Sequence, residues 1–303
     1  MVPGMNILRS LPLLAFSVLL TACFTSDDDA ESSLTLRLTD APIDEAEHVF
    51  VSVRGVSLNA GDEGWVDYDL DEVQRIDLLT LQSGNAFPLL EDVAMEAGAY
   101  GVRLNLHSDD DNQPDHAIVL TQGGAEIELE IPSGDQTGLK LNQEIVVPVN
   151  GSADYVIDFD VRRSIVKRGL GDDYLLKPVL RLINNNQTGS ISGAFTDSQL
   201  FTEQCSDQDP LTFNAVYLYE GHDVTADDIG SAGTQPITTA PVVFDEDSGE
   251  YRYTIGFVLA GDYTLSLTCN ADLENSETDD ELLFKNTMNV SVNTGDSEEE
   301  SDF

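Results

Sequence analysis

Apolar and polar residues alternate in run after run of this chain, and this period of two constrains the fold more than any other feature. Successive side chains of a strand point to opposite faces, so alternation predicts strands with one buried face. The alternating runs are 34–38, 49–53, 100–106, 127–131, 145–149, 155–161, 251–257, 263–269 and 288–292. A slip in the alternation at Gly55 predicts a β-bulge. The pattern predicts a mainly β protein made of antiparallel β-sandwiches, with one short helix near Asp71–Gln82.

The polar run Asn184–Gly189 separates the alternating runs into two groups. A polar segment that follows a completed strand is typical of a domain boundary. We therefore expect a linker at 185–189 between two antiparallel β-sandwich domains, the first over 34–184 and the second over 190–294.

The N-terminus carries the pattern of an exported protein. One positive side chain, Arg9, precedes the apolar segment Leu11–Leu20, which is shorter than the roughly 20 residues of a membrane-spanning helix. The stretch Leu20-Thr21-Ala22-Cys23 resembles the lipobox of bacterial lipoproteins. The resemblance implies that residues 1–22 are a signal peptide and that the thiol of Cys23 is lipidated. Residues 23–33 would then form an acidic, flexible tether.

The chain is strongly acidic, with 14 basic and 56 acidic side chains and a net charge of −42. Loss of residues 1–22, which contain Arg9 and no acidic residue, makes the charge −43. Such a surface repels nucleic acid and anionic lipid headgroups, so neither is an expected partner and the lipid must hold the protein at a membrane. The acidic tail 295–303 is expected to be disordered.

The residue after the lipidated cysteine predicts the location. Phe24 stands where an Asp would resemble the inner-membrane retention signal. We therefore expect a protein that is lipid-anchored to the cell envelope, in the outer membrane of a Gram-negative bacterium.

Two cysteines remain once Cys23 is assigned to the lipid. Cys205 and Cys269 form an even pair in an exported chain, where disulfides persist. We expect them to form a structural disulfide, with Cys269 pointing into the core beside Leu265 and Leu267. The chain contains no Cys-x-x-Cys motif, which argues against a redox or metal site.

Clustered aspartates at Asp109, Asp111 and Asp115 are candidate calcium ligands, because calcium takes six to eight oxygen ligands. The segment is not an EF-hand, since Pro114 stands where the required Gly would be. A solvated turn between two strands is the alternative. Calcium is the one cofactor that the sequence suggests.

A second group of acids lies on one strand, where Asp158 and Asp160 share a face. Paired carboxylates can serve in acid–base catalysis or bind a metal. They can also accept hydrogen bonds from basic side chains, and Lys140, Lys177 and Arg181 are the candidates. We expect a structural ion-pair network of these five residues, with no catalytic role.

Residues 34–183 resemble a bacterial domain family of unknown function, DUF4382. The matching motifs are Leu38-Thr39-Asp40-Ala41-Pro42, Ile131-Pro132-Ser133, Thr137-Gly138-Leu139-Lys140-Leu141, Asp158-Phe159-Asp160 with Ser164, and Leu176-Lys177-Pro178-Val179-Leu180-Arg181. The resemblance implies a secreted, often lipid-anchored β domain. It supplies no activity and no catalytic residues.

The second domain resembles the carboxypeptidase-regulatory, transthyretin-like modules. The likeness rests on Gly189-Ser190-Ile191-Ser192-Gly193 and Leu259-Ala260-Gly261-Asp262-Tyr263-Thr264-Leu265. It implies an Ig-like or transthyretin-like β-sandwich that acts as a structural or interaction unit.

These observations predict a lipid-anchored envelope protein with a non-enzymatic binding or structural role. A Gly-x-Ser-x-Gly nucleophile motif and a Gly-rich phosphate loop are both missing from the sequence. The expected partners are the membrane, through the lipid, and an envelope or extracellular protein or glycan. The alternatives are a calcium-stabilised surface adhesion or matrix module and an unrecognised hydrolase that uses Asp158 and Asp160.

Overall fold

The computed structural model describes residue 1 and residues 32–41, 46–61, 64–109, 113–120, 124–132, 138–169, 173–200, 213–295 and 297–300. Glu31–Phe303 forms one compact unit. The fold is mainly β, which confirms the predicted class. Within the described ranges, no helix has both the length and the apolar character needed to cross a membrane.

The N-terminal half, residues 32–184, contains twelve described strands in two sheets. The strands are β1 Ser33–Ala41, β2 Ala46–Asn59, β3 Trp65–Asp77, β4 Phe87–Ala94, β5 Gly98–Leu106, β6 Ala117–Leu120, β7 Ile127–Glu130, β8 Leu139–Val147, β9 Ser152–Asp160, β10 Ile165–Arg168, β11 Asp173–Leu176 and β12 Leu180–Asn184. One sheet has the order β12-β9-β1-β4. The other has the order β10-β11-β7-β6-β2-β5-β8, and β3 pairs with β2. A one-turn helix, α1 Val161–Ser164, follows β9.

The predicted alternation places the core of this half between its two sheets. Leu36 on β1, Val51 on β2 and Ile157 on β9 are each 0% exposed and belong to one buried apolar cluster. Burial of such side chains is the main stabilising term of a sandwich. Val149 departs from the pattern and is exposed, because β8 ends at Val147 and a turn begins.

The predicted bulge is present at Gly55. The pairing of β2 with both β3 and β5 shifts register between Val53 and Gly55. A Cβ atom at Gly55 would lie 2.2 Å from the main-chain oxygen of Tyr68. Glycine is therefore required for β3 to approach β2 this closely.

The helix predicted near Asp71–Gln82 is wrong. Residues up to Asp77 continue the long strand β3, and only Leu78–Leu81 form a 3₁₀ turn, which Asp77 caps. The apolar positions that suggested a helical face instead come from two elements. Ile76 is buried at the end of β3, and Leu81 is buried in the turn.

The C-terminal half, residues 185–300, has two four-stranded sheets among its described residues. Its strands are β13 Thr188–Phe195, β14 Ala215–Glu220, β15 Thr238–Pro241, β16 Val243–Asp245, β17 Glu250–Leu259, β18 Gly261–Thr268, β19 Phe284–Val292 and β20 Ser297–Glu300. The sheet orders are β16-β17-β13-β20 and β15-β14-β18-β19. A short helix, α2 Asp197–Leu200, follows β13, and Ala271–Leu273 forms a 3₁₀ turn.

Two apolar clusters stabilise the C-terminal half. Ile191 and Tyr253 from one sheet pack with Leu265 from the other in the inner cluster. A second cluster, which contains Tyr217 and Tyr219, lies apart from it and joins β14 to residues of the loops that follow β14 and β18. The outer face of the β15-β14-β18-β19 sheet is thus covered by loops.

Most strand pairs are antiparallel, as predicted, but the described pairs include three parallel ones. These are β1 with β9, β7 with β11, and β13 with β20. Parallel neighbours need a crossover connection, and sequence alternation alone does not distinguish them from antiparallel ones.

The expected linker and tail differ from the structure in detail. Asn185–Gln187 form a 3₁₀ turn and β13 begins at Thr188, so the predicted linker is a short ordered connection. Residues 297–300 of the predicted disordered tail form β20 at the edge of a sheet, beside β13. Independent folding of the two predicted domains stays a prediction.

Replacement of Gly55 by Ala should lower the free energy of unfolding by about 3 kcal/mol, because the added methyl group meets backbone and not a movable side chain. The measurement is denaturant unfolding. Gly98→Ala is the matched control, since its Cβ would lie 3.8 Å from Tyr100, an ordinary contact. Equal effects of the two substitutions would contradict the proposed close approach.

Candidate functional site

The strand register brings Asp158 and Arg181 together. Asp158 on β9 lies directly opposite Arg181 on the antiparallel strand β12. Arg181 donates from Nε to Asp158 Oδ2 at 2.8 Å and from Nη2 to the same oxygen. Asp158 is 4% exposed, so the guanidinium supplies the positive charge that a buried carboxylate requires.

The neighbouring acid, Asp160, is held by a helix start. Asp160 is the N-cap of α1, and its Oδ1 accepts a hydrogen bond from the Arg163 backbone N–H at 3.0 Å. The Arg163 side chain returns to donate from Nη1 to Asp160 Oδ2 at 2.7 Å. Both oxygens of this buried carboxylate are thereby satisfied by one residue.

Both arginines also reach the C-terminal half. Arg163 donates from Nη2 to the carbonyl oxygen of Pro236 at 2.7 Å, and Arg181 donates from Nη1 to that of Ile237 at 2.8 Å. Each guanidinium thus joins a buried acid of one half to the backbone of the other. We call Asp158, Asp160, Arg163 and Arg181 the arginine clamp.

A third arginine makes a separate contact between the halves. Arg162 is 6% exposed and donates from Nη1 to the Tyr217 hydroxyl at 3.3 Å. That hydroxyl donates to Glu274 Oε2 at 3.0 Å. Burial raises the pKa of Glu274, and the backbone N–H of Ile229 and the charge of Arg162 oppose the shift.

A cleft of about 310 Å³ opens beside the arginine clamp, between the two halves. Its wall includes Asp158 and Arg181 from the N-terminal half and Thr239 from β15. At one edge the halves touch backbone to backbone, since a Cβ on Gly256 would lie 2.5 Å from the Cα of Gly84. The wall carries donors, acceptors and apolar surface, which is the composition of a small-molecule or peptide site.

Asp40 lines the same cleft and is the most perturbed acid near it. It is 7% exposed, its Oδ1 accepts from the Val161 N–H at 3.3 Å, and its Oδ2 has no hydrogen-bond partner. Burial, then the charges of Asp158 and Asp160, raise the pKa of Asp40 well above its ordinary value. The surroundings therefore favour the protonated form of this carboxyl.

The clamp pair itself stays charged. Burial raises the pKa of Asp158, and the charge of Arg181 opposes that shift. Burial lowers the pKa of Arg181, but the charge of Asp158, its hydrogen bond and the charge of Asp160 outweigh this effect and raise it. A guanidinium is an effectively permanent cation, so its partner is best described as a carboxylate.

The predicted network is only partly the one that forms. Its described ion pairs use Arg181 and Arg163, whereas the side chains of Lys140 and Lys177 are exposed. The sequence reasoning missed the roles of Arg163 and Asp40. The position of Arg163, three residues after the last acid of β9, was a signal. A side chain three residues after an N-cap can reach back to the side chain of the N-cap residue.

The predicted calcium residues are described only in part. Asp115 Oδ2 accepts a hydrogen bond from the Asp109 backbone N–H at 2.8 Å, and Asp109 lies 3.3 Å from Nε2 of His107. Asp111 lies outside the described residues. Calcium binding at this loop stays a prediction.

The predicted cysteine sites also stay predictions. Cys23 and Cys205 lie outside the described residues. Cys269 is 2% exposed directly after β18, next in phase to Leu265 and Leu267, which agrees with the expected inward orientation.

Removal of the Arg181 side chain should lower the free energy of unfolding by about 3–5 kcal/mol, because it leaves a buried carboxylate without its cation. Denaturant unfolding measures the loss. Arg54→Ala is the matched control, since the Arg54–Asp69 pair is about half exposed and should contribute at most about 1 kcal/mol. A loss no larger than that of Arg54→Ala would contradict the buried clamp.

Asp40→Asn should be more stable than the natural protein, increasingly so as the pH rises from about 4 to 7. In the unfolded chain Asp40 ionises near pH 3.9, whereas the raised pKa keeps its proton bound in the folded protein. Ionisation of Asp40 at rising pH therefore favours unfolding of the natural protein. This contribution is missing from the Asn variant. Unfolding free energies across this pH range test the difference. Asp173→Asn, at an exposed acid, is the control, and a gain independent of pH would contradict the assignment.

Several solved structures bear a distant likeness to this chain. The TIE protein of Bacillus anthracis is 9% identical with a TM-score of 0.20, over 90% of this chain and 33% of that one. A putative adhesin from Bacteroides ovatus ATCC 8483 is 11% identical with a TM-score of 0.21, over 97% and 95%. A fimbrial protein from the same strain is 10% identical with a TM-score of 0.20, over 90% and 48%. This chain thus spans about a third of the first protein and half of the third.

The family comparison covers the N-terminal half. A family model described as "Domain of unknown function (DUF4382)" matches residues 31–178, which include Asp40 and both acids of the clamp. A search of curated proteins found no match to the chain. The resemblance of residues 190–294 to transthyretin-like modules stays a prediction. The comparison therefore finds a DUF4382 domain at residues 31–178.

Proposed function

We propose that this protein is a lipid-anchored, non-enzymatic component of the cell envelope that presents two β-sandwiches as one rigid body. The observation that carries the proposal is the arginine clamp. Its two arginines each hold a buried acid of the DUF4382 domain and a backbone carbonyl of the C-terminal half. The side chains of the clamp therefore hold the two halves in a fixed arrangement.

The same geometry argues against a hydrolase that uses the β9 acids. A catalytic carboxylate must bind a water molecule or a substrate proton during the reaction. Both oxygens of Asp160 accept hydrogen bonds from Arg163, and Asp158 Oδ2 accepts two from Arg181. An ion-pair network accounts for both acids without chemistry.

The anchor is inferred from the N-terminus and from charge. Ala22-Cys23 resembles a lipobox, and a mature charge of −43 repels anionic lipids, so a covalent lipid is the attachment that this chain can use. The predicted tether 23–33 ends inside the fold, because Ser33 begins β1 and Ser32 is buried. The part of the tether that precedes Ser32 would then separate the rigid body from the bilayer. A protein or glycan of the envelope would be the partner.

Substitution of Cys23 by Ala should release the protein from the membrane fraction. The thiol is the only lipid acceptor that the lipobox offers, and the acidic surface supplies no other attraction to the bilayer. Fractionation of expressing cells measures the release, and globomycin should make the unprocessed precursor of the natural sequence accumulate.

Ser26→Ala is the matched control, because it changes a nearby polar residue and leaves the lipobox intact. It should stay in the membrane fraction. A Cys23→Ala protein that remains membrane-bound would refute the lipid anchor. Protease treatment of intact cells then separates surface display from a periplasmic location.

A further inference from the structure

Two long loops of the C-terminal half meet each other. One covers 221–237, between β14 and β15, and the other covers 269–283, between β18 and β19. They touch at Gly230, where a Cβ atom would lie 1.6 Å from the carbonyl oxygen of Thr278. Loops of this length in a compact protein commonly have a function.

Five acidic side chains gather where the loops meet. Ligand oxygens of Asp227, Asp228 and Asp279 lie within 4.8 Å of one another, and so do those of Asp228, Glu274 and Asp280. Asp228 belongs to both groups. The spacing matches oxygens around one ion, because calcium–oxygen distances are about 2.3–2.6 Å and ligands on opposite sides are about twice that distance apart.

Asp228, the residue that the two groups share, has a buried oxygen without a hydrogen-bond partner. The residue is 0% exposed. Its Oδ2 accepts from the N–H groups of Gly230 at 3.1 Å and Asp280 at 3.0 Å, whereas its Oδ1 is buried and has no hydrogen-bond partner. A buried carboxylate oxygen without a partner is unfavourable, and a bound cation is one of the few ways to satisfy it.

The protein supplies little positive charge to these acids. Residues 185–303 contain only two basic side chains, Arg252 and Lys285. Arg252 pairs with Glu250 on β17. Arg162 of the N-terminal half acts on Glu274. Neither of these described contacts involves Asp227, Asp228 or Asp279, so an external cation would reduce the repulsion within this group.

The carboxylate ligands and the loop geometry favour calcium over zinc and magnesium. Both groups contain carboxylates alone, without His or Cys, and such hard oxygen ligands suit calcium and magnesium better than zinc. Irregular loops tolerate the variable geometry of calcium, whereas magnesium demands a nearly ideal octahedron.

We propose that the C-terminal half binds a calcium ion through Asp227, Asp228 and Asp279, with Glu274 and Asp280 beside it. This site is independent of the lipid anchor and differs from the predicted Asp109–Asp115 loop. The ion joins the two loops to each other. Through Glu274 it also supports Tyr217, which receives the hydrogen bond of Arg162 across the halves.

Tyrosine-sensitised terbium luminescence tests the site directly, with calcium as the competitor. Tyr219 donates to the Asp227 carbonyl at 2.5 Å, and the Tyr217 hydroxyl bonds Glu274, so both rings lie next to the proposed ion. The purified protein, stripped with a chelator, should bind terbium and release it to calcium. Extracellular calcium modules bind at about 10⁻⁴–10⁻³ M. Calcium should also raise the melting temperature more than magnesium at equal ionic strength.

Asp228→Asn should weaken calcium binding at least about tenfold, because it removes the buried charge and keeps an acceptor for the two N–H groups. Asp279→Asn should also weaken calcium binding. Because Asp279 is exposed, this variant should fold even if Asp228→Asn does not. Asp247→Asn is the control, since it removes one exposed acidic charge from the β16–β17 turn.

Asp115→Asn separates this site from the other predicted loop and should leave the calcium affinity unchanged. Three results would overturn the proposal: no calcium binding by the natural protein at millimolar concentration, equal affinity in Asp279→Asn and the natural protein, or loss of binding in Asp115→Asn alone. None of them bears on membrane attachment through Cys23.

Discussion

The buried ion pair of Asp158 and Arg181 is the interaction on which the arrangement of the two halves depends. A carboxylate that is 4% exposed is strongly unfavourable unless a cation and hydrogen bonds replace its water. Arginine meets this need with part of its guanidinium and has donors left for the Ile237 carbonyl. Arg163 repeats the arrangement with Asp160 and Pro236. The acids therefore orient the groups that hold the C-terminal half.

The cleft lies beside this clamp. It has a volume of about 310 Å³, and Gly84 and Gly256 approach each other closely at one edge of it. Asp40, which belongs to the DUF4382 motif Leu38–Pro42, lines this cleft. Burial, and then the charges of Asp158 and Asp160, raise the pKa of its carboxyl and favour the protonated form.

The two halves differ in how their acidic side chains are neutralised. The N-terminal half neutralises two buried acids, Asp158 and Asp160, with arginines. Residues 185–303, in contrast, have two basic against 24 acidic side chains. The proposed calcium ion at Asp228 would do for the loops of the C-terminal half what arginine does at the clamp. An acidic surface keeps the protein soluble and away from anionic lipids, which is consistent with the proposed attachment through Cys23.

The β class, the inward faces of strands such as Leu34–Leu38, the bulge at Gly55 and the DUF4382 motifs were all predictable from the chain, because period-two burial and local motifs depend on residues that are close together in it. It also indicated that the β9 acids pair with Arg181. The three-dimensional fold was needed to show that Arg163 replaces the lysines, that the clamp spans both halves, and that Asp228 lies among four other acids. Those facts depend on which strands become neighbours and how distant loops meet. Contacts between residues far apart in the chain leave no periodic signal in it.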